Sequence, residues 1–318
     1  MQKKINEVVI LGTGGTIAGQ ASAAGDNVGY MAGQITAADL LREVPALAGQ
    51  ALSVEQVAQC DSKDMDHAIW QTLAQRVAHH VARPEVSGIV ITHGTDTLEE
   101  TAWFLQRVLA PIKPVVLTAA MRPATALHRD GPQNLLDAVA VARSSEPQLA
   151  GVLAVVAGTI HSAQAVSKRH PYRVDAFSSG DTGVLGWVEE GAVRLARPGL
   201  LADETAPLGL AFIERPVADW PWVAVVTSHA GADASSVRAL VGAGVRGIVV
   251  AGSGNGTVHR QLQTALHEAQ IAGVRVWRCS RCGEGAVVGQ PAGALASAGA
   301  LSPVKARIAL MLALMAQN

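Results

Sequence analysis

Val8-Val9-Ile10-Leu11, followed at once by Gly12-Thr13-Gly14-Gly15-Thr16, is an apolar run without alternation that ends in glycines. A strand buried on both faces has this signature, because neither row of its side chains meets water. The unit recurs at Gly88 to Ile91, Val115 to Leu117 and Val152 to Val156, and again at Val223 to Val226, Gly247 to Val250 and Val274 to Trp277. Each run is closed by glycine or small polar residues and followed by a helical pattern, the arrangement of parallel strands joined by helical crossovers. The chain is therefore expected to be α/β. With 318 residues it exceeds the usual size of one core, so two domains are expected. The larger, 1–195, would be a parallel-rich sheet flanked by helices. The smaller, 219–318, would be a Rossmann-like α/β domain. The stretch 196–218, with Pro198, Pro207 and Pro216 and weak periodicity, reads as the linker.

Composition narrows the partners. Charged residues make up 16% against 49% hydrophobic, too little charge to cover a monomer of this length, so a homo-oligomer is expected. A net charge of -1 with scattered basic residues argues against nucleic acid. Lys3 and Lys4 precede an apolar run too short for a signal-peptide core, so no export is expected. The run Ile308 to Met315 is far shorter than the roughly 20 residues that cross a bilayer; it reads as a helix packed on the core, and no membrane partner is expected. Three cysteines cannot all pair within one chain, which suits a reduced, cytoplasmic setting. Cys279-Ser280-Arg281-Cys282 lacks a second Cys or His cluster at zinc-site spacing, so it reads as two strand-end cysteines, with no metal and no cofactor.

In open parallel sheets ligands collect beyond the carboxyl ends of strands. After the first run, Gly12 to Gly19 can bring backbone N–H groups close to an anion, with the Thr16 hydroxyl facing the same space. It lacks the Gly-Lys-Ser/Thr ending of a P-loop, and Ile17 stands at the third glycine of the dinucleotide fingerprint. After the second run comes Thr92-His93-Gly94-Thr95-Asp96-Thr97-Leu98-Glu99-Glu100, opening a helix expected to reach about Leu109. Thr97 with Glu100, or Asp96 with Glu99, has capping-box spacing. A cap accounts for one side chain, whereas His93, Thr95, Asp96 and Thr97 crowd one strand end. His93 and His161 read as structural histidines. Asp61-Ser62-Lys63-Asp64-Met65 and Ser167-Lys168-Arg169-His170 are each weak when taken alone.

Together, Thr13 to Gly19 and Ile91 to Ala102 resemble the two signature segments of the bacterial-type L-asparaginase family. The resemblance continues through Tyr30, Asp61 to Met65, Ala120 to Pro123, Asp130 to Pro132, Ser167-Lys168, Gly252-Ser253-Gly254-Asn255-Gly256 and Ser302 to Arg307, covering nearly the whole chain. It implies hydrolysis of a small amino-acid amide, L-asparagine first, by a homotetramer of intimate dimers whose sites are closed by the neighbour's smaller domain. It implies Thr16 as the primary nucleophile, Tyr30 as its activating partner, and Thr95, Asp96 and Lys168 as a second catalytic cluster. It further implies that Ser62 and Asp96 hold the substrate's α-carboxylate and α-amino groups, and that Asn255 comes from the adjacent subunit. On chemical grounds the threonine needs an acceptor for its proton, Tyr30 or Lys168, and the amides of Gly15 and Thr95 suit a developing oxyanion. The Gly-rich approach to Tyr30 suits a lid. Which threonine attacks first rests on the resemblance alone.

Two departures bear on amine recognition. Lys63 stands where family members often have glutamine and would repel an ammonium if it pointed inward, so it is expected to turn away and act through its backbone. The segment 279–286 is shortened, and Glu284 is its one acidic residue. Glutaminase-asparaginase activity, or hydrolysis of another small amide or lactam, therefore stays open. A non-catalytic small-amino-acid binding protein and a nucleotide-binding protein using Gly12 to Gly15 and Gly252 to Gly256 are the readings from other classes.

Overall fold

The computed structural model describes residues 6–23, 25–196, 206–290 and 292–317. The chain divides into two compact units, Met1–Glu214 and Arg215–Asn318. In chain order the first contains β1 (Glu7–Gly14), β2 (Gln20–Ala21), β3 (Tyr30–Met31), α1 (Ala37–Arg42), β4 (Leu52–Cys60), α2 (His67–Val81), β5 (Val86–Thr92), α3 (Leu98–Leu109), β6 (Pro114–Thr118), α4 (Gly131–Arg143) and β7 (Gly151–Val156). It continues with β8 (Thr159–Ser162), β9 (Ser167–Lys168), β10 (Phe177–Ser178), β11 (Gly186–Glu189) and β12 (Ala192–Leu195).

Among the described residues the main sheet has eight strands in the order β12-β11-β8-β7-β6-β5-β1-β4. Strands β4, β1, β5, β6 and β7 are mutually parallel. The four early apolar runs all lie in its fully buried interior strands. Strand β4 escaped the sequence reading because it is a half-exposed edge that mixes Glu55 and Gln56 with its valines. The short strands β8, β11 and β12 escaped too; they return antiparallel. Helices α1 and α4 cover one face, where Val8, Ile10, Val90 and Val116 meet Leu135, Ala138 and Val139. Helices α2 and α3 cover the other, with the Trp70 ring stacked on Phe104 at 4.8 Å. Each such fully buried aliphatic side chain contributes roughly 1.5–3 kcal/mol.

This strand order creates the site. From β1 the chain moves outward to β4 on one side, whereas from β5 it moves to β6 on the other. Connections leaving neighbouring strands in opposite directions open a crevice at their carboxyl ends. The register that pairs Gly12 with Thr92 puts the two polar loops at that one place.

Within the expected linker 196–218, residues 197–205 lie outside the described residues. Leu208 and Gly209 donate their N–H groups to Arg107 O (3.1 Å) and Val108 O (2.9 Å) at the end of α3. This part of the stretch is therefore bonded to the first unit, which runs to Glu214.

The second unit contains β13 (Val223–Thr227), α5 (Ser235–Gly242), β14 (Gly247–Gly252), α6 (Arg260–Ile271), β15 (Arg275–Ser280), β16 (Ala296–Ser297) and α7 (Pro303–Met315). Its sheet is parallel in the order β13-β14-β15-β16. Val237, Leu262 and Leu266 of α5 and α6 pack on Ile248 and Val250. Helix α7 starts at the Ser302 cap with Pro303 in its first turn, buries Ile308, Leu310 and Met311, and packs on β13, β14 and β15 as its composition led us to expect. Among the described residues no helix is long and apolar enough to cross a membrane. Cys279 is buried in β15 and Cys282 is exposed just beyond it; neither is in a disulfide, nor is Cys60.

Candidate active site

Three loops meet at the carboxyl ends of β1, β4 and β5. Gly15 has φ +83°, where a side chain is strained, and a Cβ there would overlap the backbone of Gly94. A Cβ on Gly94 would in turn overlap the Ser62 side chain. The loops carrying Thr16 and Thr95 therefore touch backbone to backbone, because both present glycine at the contact, and the Ser62 side chain packs against Gly94.

Thr16 follows in a single 3-10 turn, Thr16–Ala18, and is 7% exposed. Its Oγ1 lies 2.7 Å from the Tyr30 hydroxyl, and either oxygen can donate. Tyr30 comes from the β2–β3 hairpin, whose register pairs it with Ala21. A side chain at Gly19 would collide with the Tyr30 ring, so that glycine makes room for the tyrosine.

Thr95 is 5% exposed. Lys168 Nζ donates to Thr95 Oγ1 at 2.9 Å and to Asp96 Oδ1 at 2.6 Å. The lysine side chain is largely covered, whereas that of Asp96 is 54% exposed, so the carboxylate faces open space while one oxygen holds the lysine. Ser62 Oγ accepts the Asp96 N–H at 3.2 Å and keeps its own proton to donate. Thr16, Tyr30, Ser62, Thr95, Asp96 and Lys168 are thus linked through contacts within one unit. This cluster can activate a hydroxyl at two points and offer a serine hydroxyl and a carboxylate to an amino acid.

Gly15 differs from its expected role. Its N–H already donates to Cys60 O at 2.9 Å, so it is not available to an oxyanion. The Thr95 N–H has no protein acceptor among the described residues, which leaves it as the donor of the expected pair. The capping-box spacing also misled: Thr97 donates its hydroxyl to Ser62 O at 2.7 Å and makes no side-chain cap, and Glu99 accepts from the N–H of Lys168 at 3.1 Å. Sequence reasoning missed Glu99 as a site neighbour; the only signal was an acid three residues after Asp96, which a cap explains equally well.

Lys63 is exposed, with Nζ between Asp61 Oδ2 (2.8 Å) and Asp64 Oδ2 (3.0 Å), and these carboxylates raise its pKa through their hydrogen bonds. With its charge neutralised locally, Lys63→Gln should change kcat/KM by less than roughly 3-fold in steady-state assays. A large rise would show that the lysine intrudes.

His93 is fully buried and structural. Nδ1 lies 2.7 Å from Gly94 O and Nε2 lies 3.0 Å from Thr101 Oγ1, which also accepts the Trp70 indole N–H. Burial lowers its pKa to about 4, against the upward pull of the Gly94 carbonyl. The unfolded chain takes up this proton near pH 6.5 and the native chain only near 4, so stability present above pH 6.5 is lost as pH falls through that window. We expect the stability advantage of the parent over His93→Gln, from urea unfolding, to shrink by roughly 3 kcal/mol between pH 7 and pH 4. A pH-independent difference would contradict a buried neutral imidazole. His161 is likewise buried, with Nδ1 2.8 Å from Ser179 Oγ.

Asp130 joins two further segments of the resemblance. It accepts the N–H groups of Met121 (2.8 Å) and Arg122 (3.0 Å), so the Ala120 to Pro123 and Asp130 to Pro132 segments brace one another. Asn255 and Glu284 belong to the second unit. Asn255 clamps Val288, with Nδ2 donating to its O at 2.8 Å and Oδ1 accepting its N–H at 2.7 Å. Buried Arg278 supports both sides by donating to Asn255 O (3.1 Å) and Gly289 O (2.7 Å). Glu284 is exposed. No group of three or more His, Cys, Asp or Glu among the described residues is arranged to hold a metal ion.

Paired threonines at the crevice of a parallel sheet, one against a tyrosine and one against a lysine, fit an amidohydrolase of the L-asparaginase type. The family models agree: residues 7–200 match "Asparaginase, N-terminal" and residues 222–318 match "Glutaminase/Asparaginase C-terminal domain". The chain belongs to the asparaginase family. It is similar to L-asparaginase 2 of Bacillus subtilis (strain 168), at 36% identity with 100% of this chain and 84% of the relative covered. It is similar to the glutaminase-asparaginase of Pseudomonas fluorescens biotype A, at 38% identity with 98% and 87% covered. The crystal structure of "Probable Cytoplasmic L-asparaginase" from Campylobacter jejuni matches with a TM-score of 0.91 and 39% identity, over 97% of this chain and 95% of that one.

Proposed function

We propose that the chain hydrolyses L-asparagine to L-aspartate and ammonia through an acyl-threonine intermediate, with Thr16 as first nucleophile. The observation that carries this reading is the contact of the Thr16–Tyr30 and Thr95–Lys168–Asp96 groups across Gly15 and Gly94. Thr16 Oγ attacks the side-chain amide carbon while its proton passes to the Tyr30 oxygen and the Tyr30 hydroxyl proton moves on to the amide nitrogen. The carbonyl oxygen gains charge, which the Thr95 N–H stabilises. Collapse breaks the C–N bond and releases ammonia with that proton. Water then attacks the ester, aspartate leaves, and Thr16 regains its hydroxyl. The Lys168 ammonium lowers the cost of charge on Thr95 Oγ1, so Thr95 is the group that handles protons for the second step.

Ser62 and Asp96 bind the α-carboxylate and α-ammonium, and Asn255 and Glu284 complete the site of a neighbouring subunit in a homotetramer of intimate dimers. The 16% charged composition supports that assembly. The β2–β3 hairpin acts as the lid. The name of the Campylobacter jejuni relative and the three unpaired cysteines support a cytoplasmic setting. Glutaminase activity is the second reading, favoured by the Pseudomonas fluorescens relative.

Ammonia release from asparagine, glutamine and other small amides tests the substrate. An electrophilic substrate analogue followed by peptide mass spectrometry tests the nucleophile. An adduct on the Thr16 peptide is expected; aspartate binding without turnover of any amide would make the chain a binding protein instead.

A further inference from the structure

We propose that Glu99 is a positioning residue for Lys168, holding that lysine's peptide so that Nζ reaches Thr95 Oγ1. The inference rests on the reading of Thr95 and Lys168 as catalytic. Lys168 is not part of the main sheet. It lies in β9, which among the described residues pairs with β10 alone, through the two positions Lys168 to Phe177 and Ser167 to Ser178, with the Arg169 and His170 N–H groups adding bonds to Ala176 O. So short a ladder has little rigidity of its own.

Glu99 supplies what the ladder lacks. It sits in the first turn of α3, three residues after Asp96, and is 9% exposed. One oxygen, Oε1, accepts the Lys168 N–H at 3.1 Å and the Ser167 hydroxyl at 3.3 Å. The same lysine's Nζ is bound by Thr95 and Asp96. Both ends of Lys168, peptide and ammonium, are therefore referred to the single segment 95–99. Displacement of that segment carries both ends together and leaves the Nζ to Oγ1 separation intact. The far end of the β9–β10 connection has a separate tether, where Arg122 donates to Tyr172 O at 2.8 Å and lies 4.2 Å over its ring.

A helix N-terminus favours an acid, which is the bland explanation for Glu99. It accounts neither for the burial nor for the two donors aimed at Oε1. Packing does not explain it either, because among the described residues Oε2 is buried without a protein hydrogen-bond partner. A side chain serving packing alone would be better apolar.

The test compares full-length Glu99→Leu and Glu99→Gln with the parent and with Lys168→Met, measuring kcat, KM and Tm. Glu99→Leu should lower kcat roughly 10- to 100-fold, the scale of a small misplacement of a reacting group. Its KM should move less than about 3-fold, since substrate binding is not withdrawn, and its Tm should hold or rise. Glu99→Gln keeps a carbonyl acceptor and should recover most of kcat. Parental kcat in Glu99→Leu, or no recovery in Glu99→Gln, overturns the proposal. A fast Lys168→Met would sink the catalytic reading of the lysine and this proposal with it, whereas a slow Lys168→Met beside a parental Glu99→Leu removes only the positioning role. Should Glu99→Leu fail to fold, Glu99→Asp withdraws the acceptor by one methylene; slowed kcat is expected, and parental kcat overturns the role.

Discussion

Thr16→Ala should fold as the parent does yet hydrolyse L-asparagine at least roughly 10³-fold more slowly in kcat/KM, about 4 kcal/mol of transition-state stabilisation. The substitution removes one oxygen and one methyl from a buried turn. It leaves Gly15 in its contact with Gly94 and leaves the β2–β3 hairpin paired. Among the described residues the only side-chain hydrogen bond lost is the 2.7 Å contact to the half-buried Tyr30 hydroxyl, which solvent can replace at a cost of about 1 kcal/mol. Stability should therefore fall little while chemistry stops, and circular dichroism beside an ammonia assay separates the two. No adduct should form on the peptide that contains residue 16. Turnover near the parental rate would remove Thr16 from the mechanism and move first attack to Thr95.

Lys168→Met is expected to have the second largest effect, a loss of roughly 10² to 10⁴ in kcat, the range of positioned proton-transfer groups. Methionine keeps much of the lysine's apolar stem, so packing under β9 survives. Asp96 loses its cation but is more than half exposed and can be rehydrated, so the lost ion pair should cost no more than about 1 kcal/mol of stability. The catalytic loss is larger because the Thr95 hydroxyl loses the only ammonium that touches it among the described residues. If Thr95 and Lys168 act as a unit, Thr95→Val on the Lys168→Met background should add little to the loss. Additive losses in that double-mutant cycle would mean that the two act in separate steps.

How much of this could be read in advance varies by element. The interior strands were legible because burial on both faces demands an unbroken apolar run, and Val8 to Leu11 is one. The edge strand at Leu52–Cys60 was not, since its outward side meets solvent and its pattern looks like that of a loop. Thr16 and Thr95 were legible as hydroxyls at strand ends, but their catalytic roles and the part played by Lys168 were legible only through resemblance, because neither a threonine after a glycine nor a lone lysine has a periodic signature. Thr97 and Glu99 were read as caps on spacing that fits a cap; their hydroxyl and carboxylate went instead to residues 35 and 69 positions away.

By itself the sequence determined the α/β class, the central strands and the helix that begins after Thr97, because each follows from local backbone demands and from where water must be excluded. The tertiary structure alone decided the hydrogen-bond partners: the Gly15 N–H spent on Cys60, Tyr30 against Thr16, and Glu99 beneath Lys168. The reason is physical. A polar group bonds to whatever lies within about 3 Å of it, and at the mouth of this sheet that neighbour arrives from a distant part of the chain.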